Sequence, residues 1–567
     1  MIEDAYHIQR DSVLRCDLCI VGAGPAGITL ALELGESGRS VIVLEAGGRN
    51  HAGKSLDLYR GELVDPAYHL PTQKARYRQL GGTSALWGGR CVPYDAIDFE
   101  QRDYVRDSGW PIDRSDLDPY YRRAHVYCEC GEFDYEATSA LEGGELVEGL
   151  HDPDVSTDTI ERWGPPTRFG KRYASQLQRL RNLRVLLNAA CHHLRVAQTG
   201  GHIEALEVAT LSGTTFEIRA SRTVLAGGCL ESTRLLLSSN ARDGANLGED
   251  SPWLGRGYMC HLNGVIARAR FKPDVRVKFG YEIDRHGVYC RRRFWIPAAV
   301  QRRFRLLNSY FTLDRPLLED ADHRSSIMSL AFIVKTLAGK LESSDSTRSG
   351  KYELYWKHLR NVLAGSPEML SVLPSWSRSR FLQERRMPSL LVKPKNNLFH
   401  IYFHAEQVPD MSSRIALSEE RDALGQPRLM VDFRITDMDV DSLRRSHELL
   451  DTAFRKSGVG ELEYNSDDVD DEIRAQKATL GHHIGSLRMA ENSRQGVVDP
   501  ECRVFGTANL YVASSAVFPT SSQANPTLTI VALAIRLADH LKGQPWESMD
   551  QRMMSPTSDN SAVAVHA

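Results

Sequence analysis

The chain has 567 residues, 42% hydrophobic and 25% charged, with a formal net charge of −3. That length exceeds what one hydrophobic core usually serves, so two domains are expected. The near-balanced charge argues against nucleic-acid or membrane-surface binding as the main activity, and no run reaches the roughly eighteen apolar residues of a membrane span.

The segment Met1–His7 is acidic and polar, with neither the basic nor the apolar region of a secretory signal, so a cytoplasmic location is expected. Export on a partner's signal would leave no mark here. Ten scattered cysteines read as reduced thiols. The CxxC at Cys16 and Cys19 falls in a strand whose alternation points the two thiols to opposite faces, which suits neither a metal nor a redox pair.

Residues 17–47 form a strand, a glycine-rich turn, a helix and a second strand. In Gly22-Ala23-Gly24-Pro25-Ala26-Gly27, Gly22 permits the tight turn and Gly24 lets backbone approach a pyrophosphate. Gly27 lets helix and strand pack closely, and the helix N-terminus faces the phosphate charge. Glu45 ends the second strand, where a carboxylate can accept from a ribose hydroxyl. This unit predicts a dinucleotide site and does not separate FAD from NAD.

Two later segments favour FAD. The loop Gln79–Gly89 is dense in glycine, which suits close approach to a flat ligand, although a surface turn is the alternative. Residues 223–232 read as strand, Gly227-Gly228 turn and helix, a second wall for the nucleotide. The middle of the chain is irregular: a β-hairpin over 414–433, mainly helical segments near 326–390, and little obvious chemistry. The basic cluster Arg291, Arg292, Arg293, Arg302, Arg303 and Arg305 can receive an anion or an acidic partner, but a solvated surface is the default. The acidic run 467–472 takes the same default, and residues after about 546 read as a disordered tail.

Near the C-terminus, Asn509–Ala513 reads as a strand returning to the sheet, and residues 528–541 as a buried helix. Asn525-Pro526 suits its N-cap and first position. A helix N-terminus aimed at a flavin would also stabilise negative charge on the reduced ring. His482 and His483 lie in a glycine-flanked, poorly periodic segment where a histidine is more often structural than catalytic.

Taken together, the 22–45 fingerprint, the 81–89 loop, residues 226–237, the hairpin preceded by Glu406-Gln407, and residues 481–541 resemble the glucose–methanol–choline (GMC) flavoprotein oxidoreductases. HxxGSxRM followed by NPTLT is most similar to the pyranose-oxidase and sugar-dehydrogenase branch. The resemblance implies an α/β fold: a Rossmann-like FAD-binding domain plus an α+β substrate domain with an antiparallel sheet. The implied FAD-binding domain is discontinuous, over residues 14–95, 185–265 and 475–545. The substrate domain takes 96–184 and 266–474 with a helical insertion, and 546–567 is the tail.

Carried over by motif, His482 is the base that takes a hydroxyl proton while hydride leaves for flavin N5. Asn525 is its partner on the same oxygen, and His483 is a weaker candidate. FAD contacts are expected at Gly22, Gly24, Pro25, Ala26, Gly27, Glu45, Ala46, Gly82, Thr83, Ser84, Trp87 and Gly88. Further contacts are expected at Ala226, Gly227, Ser515, Asn525, Pro526 and Thr527. Leu86 stands where pyranose oxidases carry their flavin-linked histidine, so FAD is expected to be non-covalent, and no metal is implied. The expected reaction oxidises a CH–OH group, with a secondary hydroxyl of a sugar, glycoside or related natural product as donor. The acceptor, whether oxygen, quinone or redox protein, stays open. A flavin-retaining lyase or decarboxylase, and a non-enzymatic flavin-binding partner subunit, are the alternatives.

Overall fold

The computed structural model describes residues 1–546 except 52, 199, 249, 339–347, 366–373, 375, 379–381, 384, 390, 395, 479 and 480. The expected tail therefore lies outside the described residues.

Two eight-stranded sheets organise the chain. In the first, Ile2–Asp4, Leu183–Leu187, Val41–Glu45, Ser12–Val21 and Thr215–Leu225 run parallel in that order. The long strand Thr215–Leu225 has two further neighbours: its first half pairs with antiparallel Ile203–Ala209, its end with parallel Leu510–Val512. Every residue of Val41–Glu45 is buried, as expected of a parallel strand covered on both faces. Cys16 and Cys19 are both buried in their strand, and neither forms a disulfide. Helix Thr527–Gly543 packs against helices Pro25–Leu34 and Arg114–Cys128 and buries Leu528, Val531, Leu533, Ile535, Leu537 and Leu541.

The second sheet is antiparallel throughout its path: Gly460–Tyr464, Leu262–Phe271, Leu398–Ala405, Ser309–Asp314, Tyr289–Trp295, Ser156–Trp163 and Arg90–Cys91. It has its own buried apolar cluster, centred on Phe271, Phe294, Phe311, Phe399, Phe403 and Phe454. The fold is thus the expected α/β nucleotide-type sheet with an α+β antiparallel partner. The hairpin Arg414–Arg421 and Pro427–Asp432 forms as expected, but in a separate three-stranded sheet with Gly61–Leu63, packed on helix Gly228–Asp243.

The basic cluster departs from its solvated reading. Arg291, Arg292 and Arg293 are 9%, 6% and 3% exposed, because their strand is interior to the second sheet. Each finds partners there: Arg291 donates to the Leu313 carbonyl, Arg292 pairs with Glu282 at 2.7 Å, and Arg293 donates to Gln523 Oε1 at 2.9 Å. Arg302, Arg303 and Arg305 do lie at the surface, paired with Glu100, Asp154 and Asp103. The acidic run forms the exposed N-terminal turn of helix Val469–Arg474, where Asp468 caps Asp471 N at 3.0 Å.

A buried ion pair ties the segment after the second glycine-rich loop to the strand end at Ala405. Both terminal nitrogens of the Arg102 guanidinium reach Glu406, at 2.8 and 2.5 Å, and Glu406 also accepts from Asn308 N at 2.8 Å. Arg102→Ala leaves that carboxylate buried and unpaired. We expect a loss of about 3–5 kcal/mol in chemical denaturation, far above the cost of a surface truncation.

Candidate active site

One cavity of about 580 Å³ runs from the first glycine-rich turn to the C-terminal histidines. Gly22 has φ +112°, and a Cβ there would lie 2.5 Å from the Ala226 carbonyl oxygen. At Gly27 a Cβ would meet the Gly22 carbonyl oxygen at 1.9 Å. Gly27 does not line the cavity; it sets the turn that does. Gly24 is the opposite case: beyond its two chain neighbours, no atom of the described residues lies within 4 Å of its would-be Cβ. Its backbone faces room for a ligand, beside the helix Pro25–Leu34, whose N-terminus no side chain caps.

All other expected cofactor residues line this space: Pro25, Ala26, Glu45, Ala46, Gly82, Thr83, Ser84, Trp87, Gly88, Ala226, Gly227, Ser515, Asn525, Pro526 and Thr527. Glu45 is held by Ala23 N at 3.1 Å and Gly47 N at 2.8 Å, and burial lifts its carboxyl to about 7. Leu86 also faces the cavity and is 45% exposed. The hairpin turn brings Asp422, Leu424 and Gln426 to the same wall, which the sequence reading did not anticipate. Nor did it find Arg76, Arg78 and Glu231, a buried pair of guanidiniums sharing one carboxylate at 3.0 and 2.9 Å.

At the far end, His482 and His483 run antiparallel to Tyr258–His261, with Met259 and Ile484 exchanging backbone hydrogen bonds at 2.9 and 3.0 Å. Gly485, at φ +91°, allows this approach, since a Cβ there would lie 2.5 Å from the Gly257 carbonyl oxygen. Adjacent residues of an extended segment point to opposite sides. His482 therefore meets His261, while His483 meets Tyr258, with its Nδ1 2.5 Å from the phenol oxygen.

The hydrogen bonds fix the tautomers. The Ser521 carbonyl can only accept, so His261 Nε2 carries a hydrogen and donates at 3.0 Å. Burial takes the His261 imidazole down to about 3, so it is neutral and its Nδ1 is a bare acceptor. His482 Nδ1–H donates to it at 3.0 Å, which leaves His482 Nε2 unprotonated, with its lone pair as an acceptor. Arg90 can only donate, so the amide atom facing it is Asn525 Oδ1, and Asn525 Nδ2 turns to His482 Nε2 at 3.3 Å. Arg90 itself pairs with buried Glu161 and lies over the Tyr310 ring at 4.3 Å.

Asn525 does not cap the following helix. The helix begins at Thr527 with no side-chain cap, and the Asn525 amide is spent on Arg90 and His482 instead. His404 completes the cluster, its ring 4.3 Å from His261 and its Nδ1 donating to the Gln523 carbonyl at 2.7 Å. Arg90, His261 and His404 escaped the sequence reading. Arg90 directly follows the second glycine-rich loop, the one signal that pointed toward it.

Residues 17–405 match the family model described as FAD dependent oxidoreductase, and residues 409–534 match the model described as GMC oxidoreductase. The chain is a GMC oxidoreductase. As such it uses FAD, and the cavity fits that cofactor in the open space at Gly24 and in the uncapped helix N-terminus. Oxygen-dependent choline dehydrogenases of Rhizobium rhizogenes and Rhizobium meliloti are each 22% identical to it, covering 94% of this chain and 96% of theirs. Among solved structures, an FAD-dependent oxidoreductase from Chaetomium thermophilum matches with TM-score 0.53 at 16% identity, covering 93% of this chain and 99% of that one. A fungal aryl-alcohol oxidase matches with TM-score 0.51 at 15% identity, covering 94% and 99%.

Gly24→Ala adds a methyl group into space that no other described residue occupies. The apo fold should keep its melting temperature while FAD affinity falls by about tenfold or more, read as a flavin fluorescence titration.

Proposed function

We propose that this GMC oxidoreductase oxidises a CH–OH group to a carbonyl, with His482 as the base and Asn525 as its partner on the substrate oxygen. One observation carries the reading: the chain Ser521 carbonyl–His261–His482 holds His482 in the tautomer whose Nε2 is unprotonated, an acceptor that meets the Asn525 amide N–H and that a substrate hydroxyl can take over, at the end of the cofactor cavity. Bound FAD supplies the hydride acceptor. The substrate hydroxyl proton passes to His482 Nε2, and Asn525 Nδ2 donates to the same oxygen and aims the carbinol carbon. His483 also lines the cavity, but its Nδ1 meets Tyr258 and its ring stacks on His69, so it takes no part in this step.

For the donor we favour a secondary hydroxyl of a sugar, glycoside or related natural product. The relatives named for choline act on a cation, whereas here Arg90 is the charged group lining the cavity beside His482 and Asn525. A quaternary ammonium there would meet the Arg90 guanidinium, whose partner Glu161 lies behind it and off the cavity wall, and an uncharged polyol would meet hydrogen-bond donors. The same reading takes FAD as non-covalent, because Leu86 has no nucleophile to offer. Acid precipitation should then leave all flavin in the supernatant; flavin retained in the pellet would contradict it.

His482→Ala should slow anaerobic flavin bleaching by substrate about 10²–10⁴-fold. His483→Ala should leave that rate near wild type, and bleaching by His482→Ala at the wild-type rate would refute the base assignment. Burial, then the neighbouring His261 and Arg90, hold His482 well below its ordinary value of 6.5. A lowered value moves the protonated, inactive form to lower pH. The acid limb of kcat/KM should therefore lie below pH 6.5. Arg90→Met removes a positive charge and leaves Glu161, so it should shift that limb upward.

A further inference from the structure

The helical insertion between strands Ser309–Asp314 and Leu398–Ala405 turns its apolar side outward. Helix Arg348–Ala364 packs on helix Ser326–Leu337 through polar groups. His358 Nδ1 meets Ser329 Oγ at 3.0 Å, its ring stacks on Phe332 at 4.0 Å, and Asn361 donates to the Ala321 carbonyl at 2.8 Å. The opposite side carries Tyr352, Trp356, Leu359 and Leu363, whose spacing of four, three and four places them on one helical stripe. They are 70%, 66%, 40% and 67% exposed, and Val334 and Leu337 of the neighbouring helix are 55% and 77% exposed. A surface helix that hides histidine and asparagine while presenting tryptophan and leucine marks an interaction face.

Charge decides what covers it. Residues 335–395 contain twelve Lys and Arg against five Asp and Glu, a net +7 within a chain of −3. Lys335, Lys357, Arg360, Arg378 and Arg386 are exposed, and Lys357 and Arg360 lie on the stripe's own helix. Two copies joined through this face would bring two such segments together against their mutual repulsion. A basic helix bearing tryptophan, tyrosine and leucine instead suits the headgroup layer of an anionic bilayer. No described helix is long and apolar enough to cross a membrane, so the contact in question is peripheral.

We propose that the insertion docks this protein on an anionic membrane surface, with Tyr352, Trp356, Leu359 and Leu363 entering the headgroup layer and the surrounding Lys and Arg facing lipid phosphates. The test is co-sedimentation of the FAD-loaded enzyme with vesicles of phosphatidylcholine alone and of equal parts phosphatidylcholine and phosphatidylglycerol. Binding should appear only with the anionic vesicles and weaken as salt is raised. The double variant Trp356→Glu/Leu359→Glu should lower the bound fraction by about tenfold or more, with flavin content and substrate bleaching unchanged. No binding to anionic vesicles, or binding that the variant leaves intact, overturns the proposal. So does a wild-type dimer that the variant converts to monomer, since a second copy would then cover the stripe.

Discussion

A buried polar loop is the constraint on which the rest of the site depends. Thr520 to Ala524 are fully shielded from solvent, yet they belong to no regular element. A loop inside a protein survives only if its polar groups find partners, since each one left unpaired costs about 1–3 kcal/mol. Here they do. Thr520 accepts from Trp110 Nε1 and donates to the Asp98 carbonyl, and Ser522 donates to the Asp98 carboxylate at 2.5 Å. Ser521 Oγ and Gln407 N meet at 2.8 Å, and the Gln523 side chain joins Asp95 and Arg293.

Those same bonds orient the histidine cluster. The Ser521 and Gln523 carbonyls hold His261 and His404, and Asn525 follows directly at the loop's end. Orientation therefore passes from backbone carbonyl to His261 and then to His482 without any charged member of the chain. Burial keeps all three imidazoles below their ordinary range, and Arg90 reinforces this by repelling a second positive charge. The buried arginines of the second sheet serve the same loop, since Arg293 reaches Gln523 from one side while Arg90 reaches Asn525 from another.

Much of the nucleotide side was legible because its signals are local. Gly27 owes its identity to the Gly22 carbonyl within the same turn, the glycine spacing is a short-range pattern even where Gly22 meets the remote Ala226, and Val41–Glu45 reads as buried because parallel strands are apolar throughout. The basic cluster misled for the converse reason. Three consecutive arginines read as solvated by composition, but an interior strand with acceptors on its neighbours can bury them. The near-neutral total charge likewise concealed a strongly basic insertion.

The sequence by itself determined the family, the cofactor class and the two residues, His482 and Asn525, most worth placing in the reaction. These follow from motifs whose physics is short-ranged or whose order along the chain is specific. Only the tertiary structure decided how those residues are held. His261, Arg90 and Ser521 lie 221, 435 and 260 positions from the residues they orient. Hydrogen-bond direction, and with it the tautomer of His482 and the turn of the Asn525 amide, exists only once the two sheets and the buried loop have packed.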